Sequence, residues 1–379
     1  MKHINLLIKP ASGLCNMRCI YCFYHSLIAK SENISQVMMS AEVADILVKR
    51  AFEEAEESCT FAFQGGEPTL VGLNFFEQFV KLVNRYNTNK IAVQFAIQTN
   101  GLSIDESWAD FFKANNFLVG ISIDGLQKIH DSMRKDSNGL PTYTKVINAY
   151  RLLAEKKVDT NILCVVNGKT ARMGLQIYKE FKNLNCRHMQ FIPCLDSSCE
   201  SRGNEAYSLL PERYAYFLKS IFDQWYNDWK RGNYHSIRLF DDYVFVASGV
   251  SPSACATSGQ CGQYALVEAN GSVYPCDFYV TDDLKLGNII DSSFEELLNS
   301  EKAINFIEES KKKPKECLEC KWFKLCRGGC KRDWYSLQNS GGIKANYYCD
   351  AFKDFFDYAY EKIIKIAKAE RNARNFHYR

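Results

Sequence analysis

From residue 1 to about 195 the chain alternates strand-like and helix-like segments, and this alternation limits the folds open to it. Ile4–Lys9, Thr60–Gln64, Ile91–Gln98, Phe117–Ile123, Thr160–Val166 and His188–Ile192 read as strands, rich in β-branched and aromatic residues. Between them Ala41–Glu56, Phe75–Tyr86, Asp105–Asn115, Tyr143–Glu155 and Ala171–Lys182 carry helical periodicity, with Ser40 placed to cap the first. Strands joined by helices of this length predict an α/β fold with a parallel sheet and crossover helices. About six units are present, fewer than the eight of a closed barrel. A long helix is predicted over Pro211–Arg231, with Tyr214, Phe217, Phe222 and Trp225 as a core-facing stripe. A last amphipathic helix is predicted over Ala351–Ala369, with Phe352, Phe355, Phe356, Ala359, Ile363 and Ile366 on one side.

The 379 residues suffice for two domains, and 46% hydrophobic with 24% charged residues is an ordinary soluble composition. A net charge of +3, with no basic block interleaved with aromatics, argues against nucleic acid as a partner. No apolar run is long enough for a membrane span. Met1–Pro10 is too soon interrupted for a signal peptide and reads as a strand. The expectation is a cytoplasmic protein with no nucleic-acid or membrane partner. In a reducing compartment, clustered cysteines bind metal more often than they form disulfides.

The sequence holds 16 cysteines. Cys15, Cys19 and Cys22 form C-x3-C-x2-C, with Tyr21 just before the last. Three thiolates so spaced can hold three irons of a cubic four-iron cluster and leave the fourth open to a small molecule. A structural zinc loop is the alternative, with His25 as the fourth ligand. Eight more cysteines lie further on: Cys255, Cys261, Cys276, Cys317, Cys320, Cys326, Cys330 and Cys349. Eight thiolates match two fully ligated cubes, which carry electrons, or two zinc sites. Cys164 reads as an inert core thiol. Cys194 and Cys199 follow the last strand, near where a ligand would sit, while Cys59 and Cys186 suggest no role.

Ligands in parallel α/β folds gather beyond the carboxyl ends of strands. Gln64-Gly65-Gly66-Glu67-Pro68-Thr69, Gln98-Thr99-Asn100-Gly101 and Ser122-Ile123-Asp124-Gly125 occupy three such ends. The paired glycines let the backbone approach a ligand, or simply form a turn. The Arg134 fork suits a carboxylate, or is a solvated charge in Arg134-Lys135-Asp136. Asp277 follows Cys276 directly. Fixed beside a metal ligand it is placed to act as a base; otherwise it is a turn residue.

The C-x3-C-x-aromatic-C run after a first strand resembles the signature of radical S-adenosylmethionine (SAM) enzymes. The resemblance implies a partial (β/α)6 barrel and a cluster whose open iron chelates SAM, which on reduction yields a 5′-deoxyadenosyl radical. It further implies that Gly65, Gly66 and Glu67 hold the SAM amino group. Ser122 and Arg134 would bind the SAM carboxylate, with Asp124 nearby and Tyr21 beside the adenine. The C-terminal cysteine array looks like the SPASM domain, which implies two auxiliary clusters. By that resemblance Cys255, Cys261, Cys276 and Cys330 hold the first, and Cys317, Cys320, Cys326 and Cys349 the second. Spacing does not establish this partition. The implied cofactors are three [4Fe-4S] clusters and SAM.

A narrower resemblance rests on Ile8-Lys9-Pro10, Cys22-Phe23-Tyr24-His25, Phe63 to Thr69, Gln98 to Gly101 and Tyr274-Pro275-Cys276-Asp277-Phe278-Tyr279. Together these are similar to the anaerobic sulfatase-maturating enzymes. One departure is Leu14, which separates Ser12-Gly13 from Cys15. The resemblance implies oxidation of a Cys or Ser in an unfolded sulfatase polypeptide to Cα-formylglycine. Asp277 would be the base, the first auxiliary cluster the electron sink, and Tyr24, Gln64 and Gln98 part of the peptide pocket. An electron donor such as flavodoxin or ferredoxin is implied. The domains expected are 1–234 for the barrel and following helix, 235–349 for the SPASM domain and 350–379 for the last helix. Another SPASM-type peptide modifier, forming a thioether or crosslink, is the alternative; many carry a peptide-recognition domain ahead of the barrel, whereas this sequence opens on the first strand. A non-catalytic iron–sulfur carrier would need neither the Gly65-Gly66-Glu67-Pro68 run nor an open-iron loop.

Overall fold

The computed structural model describes residues 1–24, 37–196, 202–262, 264–336 and 344–377. The first strands in chain order are β1 (His3–Lys9), β2 (Met17–Cys19), β3 (Ser58–Phe63), β4 (Ala92–Thr99), β5 (Phe117–Ser122) and β6 (Arg134–Asp136). They are followed by β7 (Asp159–Val166), β8 (His188–Pro193), β9 (Ser236–Ile237), β10 (Ala265–Glu268), β11 (Ser272–Tyr274) and β12 (Gly287–Asn288). The chain divides into two compact units. One is Met1–Ile123, His130–Asn161 and Gly262–Glu308; the other is Asp124–Ile129, Ile162–Cys261 and Glu309–Arg379.

In the first unit β1, β3, β4 and β5 run parallel, with Ile8 opposite Phe63 and Phe63 opposite Ile97. Alternate residues of β1 (Ile4, Leu6, Ile8) and of β3 (Cys59, Phe61, Phe63) are buried, as a half-covered strand requires. Against them packs an aromatic cluster: Phe63 lies 4.9 Å from Phe76 and 5.0 Å from Phe79, and Phe95 stacks on Phe117 at 4.9 Å. The helix Ala41–Glu54 begins where Ser40 Oγ accepts from the Val43 N–H at 3.2 Å. It stops two residues before Glu56 because Ala55 is extended and the Glu56 and Glu57 N–H groups donate to the carbonyls of Met1 and Lys2. The predicted helices at 75–86, 105–115 and 143–155 are present as Leu73–Tyr86, Glu106–Ala114 and Tyr143–Glu155.

Two features of this unit lie outside the sequence reading. A short ribbon pairs β2 with β6, antiparallel, and sets Cys19 opposite Arg134. On the free edge of β1, β10 adds in parallel, and β11 and β12 extend the sheet antiparallel. β10 reads Ala-Leu-Val-Glu and is buried on both faces, so it carries no alternation by which to recognise it.

In the second unit β7, β8 and β9 run parallel. The segment read as one helix over 171–182 is a turn of 3₁₀ helix, Thr170–Met173, and then an α-helix, Gly174–Asn183. A Cβ on Gly174 would lie 2.8 Å from the Phe217 ring, so this helix packs tightly on Pro211–Lys230. Tyr214, Phe217, Phe222 and Trp225 are all buried. The last helix starts earlier than expected, at Cys349, and its Phe355 meets Phe222 at 5.4 Å and Phe240 at 5.6 Å. Among the described residues no helix is long and apolar enough to cross a membrane.

Candidate active site and cluster ligands

The cysteine loop lies directly on the paired glycines. Gly66 N–H donates to Ser12 O at 2.8 Å, and Glu67 N–H to Leu14 O at 2.7 Å. A Cβ on Gly66 would stand 2.0 Å from the Leu14 carbonyl oxygen, and Gly65 has φ +120°. Only glycine permits both the approach and the dihedral. Around the loop, Asn100 Nδ2 reaches Cys15 Sγ at 3.8 Å and Asn16 Oδ1 at 2.8 Å. Across the β2–β6 ribbon, Arg134 Nη1 lies 3.8 Å from Cys19 Sγ, and the guanidinium stands 5.5 Å from the Tyr21 ring centroid. Arg134 is 7% exposed, which excludes the solvated-charge reading.

Glu67 is fully buried and accepts four hydrogen bonds. They come from Thr69 N–H at 3.1 Å, Thr69 Oγ1 at 2.7 Å, Thr99 Oγ1 at 2.7 Å and Asn100 N–H at 2.7 Å. Burial pushes its carboxyl up, against these bonds, which lower it. An ionised carboxylate offers about four acceptor sites. Three of the bonds fall on Oε1 and one on Oε2. Glu67 ties the end of β3 to the end of β4 and shapes the backbone there.

Asp277 stands at the centre of a second buried cluster. Tyr24 Oη donates to its Oδ2 at 2.6 Å and Gln64 Nε2 donates to the same oxygen at 3.0 Å. Lys9 Nζ lies 3.0 Å from Asp277 Oδ1 and 3.1 Å from Glu268 Oε1, with all three side chains at most 3% exposed. Ser12 Oγ donates to Glu268 Oε2 at 2.9 Å. Burial pulls the Lys9 ammonium down, but Asp277 and Glu268 outweigh it and hold it above its ordinary value. Burial and the Asp277 charge raise the Tyr24 phenol well above its usual range, so it remains a donor. Asp277 Oδ1 has the ammonium beside it but no aligned hydrogen bond. This carboxylate oxygen retains room to accept a proton.

Of the other expected ligands, Cys255, Cys261, Cys317, Cys320, Cys326, Cys330 and Cys349 belong to the second unit and Cys276 to the first. Cys317, Cys320, Cys326 and Cys349 line one cavity of about 80 Å³, walled by Trp322, Phe323, Phe352 and Phe356. Burial pushes Cys326 up to about 12, and Cys349, Cys317 and Cys320 add to it. Cys330 is raised by its hydrogen bond with Cys255 and by burial, and Cys261 by burial and by Cys330. Lys313 Nζ donates to Gly259 O at 2.9 Å, and the charges of Cys261, Cys317, Cys326 and Cys330 all act on it. Thiols held so far up must lose protons when metal binds. Among the described residues no three His, Cys, Asp or Glu side chains close on a point as a single ion requires. Four thiolates around a cavity suit a cube of irons better than a zinc ion.

The other expected residues fall as follows. Ser122 is buried at the end of β5, and Gln98 is half-buried in β4. Asp124 is buried and accepts from the Val165 N–H at 3.0 Å. Cys59, Cys164, Cys186 and Cys194 are buried thiols. His25 and Cys199 lie outside the described residues. Lys9, Glu268, Ser12 and Tyr264 were not singled out as functional. The one available signal was a charge ending an apolar run, at Lys9 and again at Glu268.

The chain matches the family profile of the radical SAM superfamily over residues 10–181, and that of the SPASM iron–sulfur cluster-binding domain over residues 255–321. It is 46% identical to the cysteine-type anaerobic sulfatase-maturating enzyme of Clostridium novyi (strain NT), over 97% of this chain and 98% of that protein. It is 32% identical to the serine-type enzyme of Bacteroides thetaiotaomicron, over 94% of this chain and 89% of that one. The solved structure of native anSMEcpe with bound AdoMet and Cp18Cys peptide aligns with a TM-score of 0.92 at 46% identity, covering 97% of this chain and 99% of that chain. The fold is thus the radical SAM partial barrel with a SPASM domain.

Two substitutions test this geometry. Gly66→Ala places a methyl group against the Leu14 carbonyl and is expected to displace the cysteine loop. Reconstituted protein should lose about four irons, one cube, together with SAM cleavage; full iron and normal cleavage would show that the close approach is dispensable. Lys9→Met leaves two buried carboxylates without their cation and is expected to cost about 3–5 kcal/mol. A denaturant titration of the variant showing an unchanged midpoint would contradict the ion-pair geometry.

Proposed function

The chain belongs to the anaerobic sulfatase-maturating enzymes, and from that membership we propose a residue-level account of how it oxidises a peptidyl cysteine to Cα-formylglycine. The observation that carries the account is the convergence of Tyr24, Gln64 and Lys9 on Asp277. SAM held on the open cluster supplies a deoxyadenosyl radical when cleaved, and the auxiliary clusters take up one electron. Cys15, Cys19 and Cys22 would hold the first cube. Cys255, Cys261, Cys276 and Cys330 would hold the first auxiliary cube, and Cys317, Cys320, Cys326 and Cys349 the second. The cavity those last four share supports that part of the partition. Gly65, Gly66 and Glu67 serve the SAM amino group, the Arg134 fork and Ser122 its carboxylate with Asp124 nearby, and Tyr21 flanks the adenine.

Asp277 acts on the peptide. The substrate side chain loses a hydrogen atom from Cβ, a proton from sulfur and one electron, leaving a thioaldehyde that water converts to the aldehyde. Asp277 accepts the thiol proton. Tyr24 and Gln64 hold its Oδ2, which fixes the carboxylate's orientation, and Lys9 Nζ stands beside Oδ1. Tyr24, Gln64 and Gln98 line the peptide pocket. The higher identity to the cysteine-type relative, 46% against 32%, supports cysteine as the residue oxidised. The substrate is an unfolded sulfatase segment, the electron donor a flavodoxin or ferredoxin, and the compartment the cytoplasm. By sequence the domains are 1–234, 235–349 and 350–379.

Anaerobic incubation with SAM, reductant and a Cys-x-Pro-x-Arg peptide, read by mass, should show the loss of sulfur and two hydrogens and the gain of one oxygen that mark formylglycine. A crosslinked product instead would overturn the proposal. Reconstituted enzyme should hold about twelve irons, and the triple change Cys15→Ala, Cys19→Ala, Cys22→Ala about eight with no SAM cleavage; zinc as the main metal would refute the cluster assignment. Asp277→Asn keeps the shape but not the basicity, and should lower formylglycine yield by about 10²–10⁴-fold while deoxyadenosine still forms. Undiminished yields of both would remove Asp277 from the mechanism.

A further inference from the structure

We infer that Tyr264 is a positioning residue for the electron-transfer step: its hydroxyl donates a hydrogen bond to the Cys276 thiolate and sets how readily the first auxiliary cluster accepts the substrate's electron. The inference rests on Cys276 being a ligand of that cluster. The hairpin of β10 and β11 creates the contact. Leu266 pairs with Tyr274 in antiparallel register, so two residues further out Tyr264 faces Cys276 on the same side of the ribbon. Tyr264 Oη accordingly lies 3.4 Å from Cys276 Sγ.

The direction of that bond follows from the chemistry of the ligand. Between a free thiol and a phenol either group can donate. A cysteine that ligates metal is a thiolate and has no proton to give, so the proton between them is the phenol's. An ordinary phenol ionises near pH 10. The Asp277 N–H in turn donates to the Tyr264 oxygen at 3.5 Å. Backbone amide, phenol and thiolate form one chain, in which each bond polarises the next. Hydrogen bonds to a ligating sulfur favour the reduced cluster, because they stabilise its added negative charge. The electron leaving the substrate radical is therefore drawn toward Cys276, and the proton leaving its sulfur goes to the carboxylate of the adjoining residue.

Tyr264→Phe removes the hydroxyl and keeps the ring. The reconstituted variant should keep about twelve irons and cleave SAM normally. An EPR-monitored redox titration should find electron acceptance at one auxiliary cluster reduced about tenfold, a potential about 59 mV lower for a one-electron couple. Deoxyadenosine formed per formylglycine should rise. An unmoved potential with an unmoved ratio would overturn the inference. Loss of iron would overturn it too, since the residue would then be structural. Cys276→Ala separates this inference from its premise. Full iron in that variant would defeat the ligand assignment, whereas lost iron there with an unmoved potential in Tyr264→Phe would defeat the role of Tyr264 alone.

Discussion

The buried ion triad of Lys9, Asp277 and Glu268 is the constraint on which the site depends. Each ammonium–carboxylate contact near 3 Å is worth about 5 kcal/mol at an effective dielectric constant of about 20. Desolvation takes back several kcal/mol per ion, so the triad contributes little net stability. Its effect is positional. Lys9 ends β1, Glu268 ends β10, and Asp277 follows β11 by three residues. Two carboxylates sharing one cation cannot separate without leaving a buried charge unpaired, so the ends of these segments are fixed together. Ser12 ties the cysteine loop to Glu268, and Gln64 ties the end of β3 to Asp277. One network thus holds the loop of the SAM cluster and the proposed base in a common frame.

Glu67 and Asp277 show how the same functional group is given two different tasks. Glu67 meets four donors, the N–H groups of Thr69 and Asn100 and the hydroxyls of Thr69 and Thr99, spread over both oxygens. Asp277 meets two donors on one oxygen and a bare ammonium on the other. A carboxylate with donors on both oxygens organises backbone, and one with an oxygen that no aligned donor reaches can take a proton. The difference is in the partners, which the residue type alone does not reveal.

That distinction also marks where the sequence ceased to be informative. The β/α alternation, the cysteine array and the strand-end motifs are local patterns, and the strands and helices they predict lie within a few residues of those found. Tyr24, Gln64 and Asp277 were each picked out, but not as partners of one another. Lys9 stands 259 positions from Glu268 and 268 from Asp277 in the chain. No periodicity spans such separations. β10 was missed because a strand buried on both faces does not alternate, and without β10 on the edge of β1 there is no reason to bring Glu268 to Lys9. The same strand sets the register that carries Tyr264 to Cys276.

The adjacency of Cys276 and Asp277 then acquires a physical meaning. Their Cα atoms are joined by one trans peptide, a fixed separation of about 3.8 Å. A substrate placed to give its proton to the Asp277 carboxylate is therefore held at a set distance from the residue proposed to receive its electron. Proton and electron leave by neighbouring side chains, so no conformational change is needed to keep the two losses coupled. Neither side chain is free to drift: Tyr264 bonds to the Cys276 sulfur and the Asp277 N–H, while Lys9, Tyr24 and Gln64 hold the Asp277 carboxylate. A base carried on a different loop would need its own anchoring to the cluster. Here the peptide bond supplies it, and the surrounding network has only to orient the two side chains it joins.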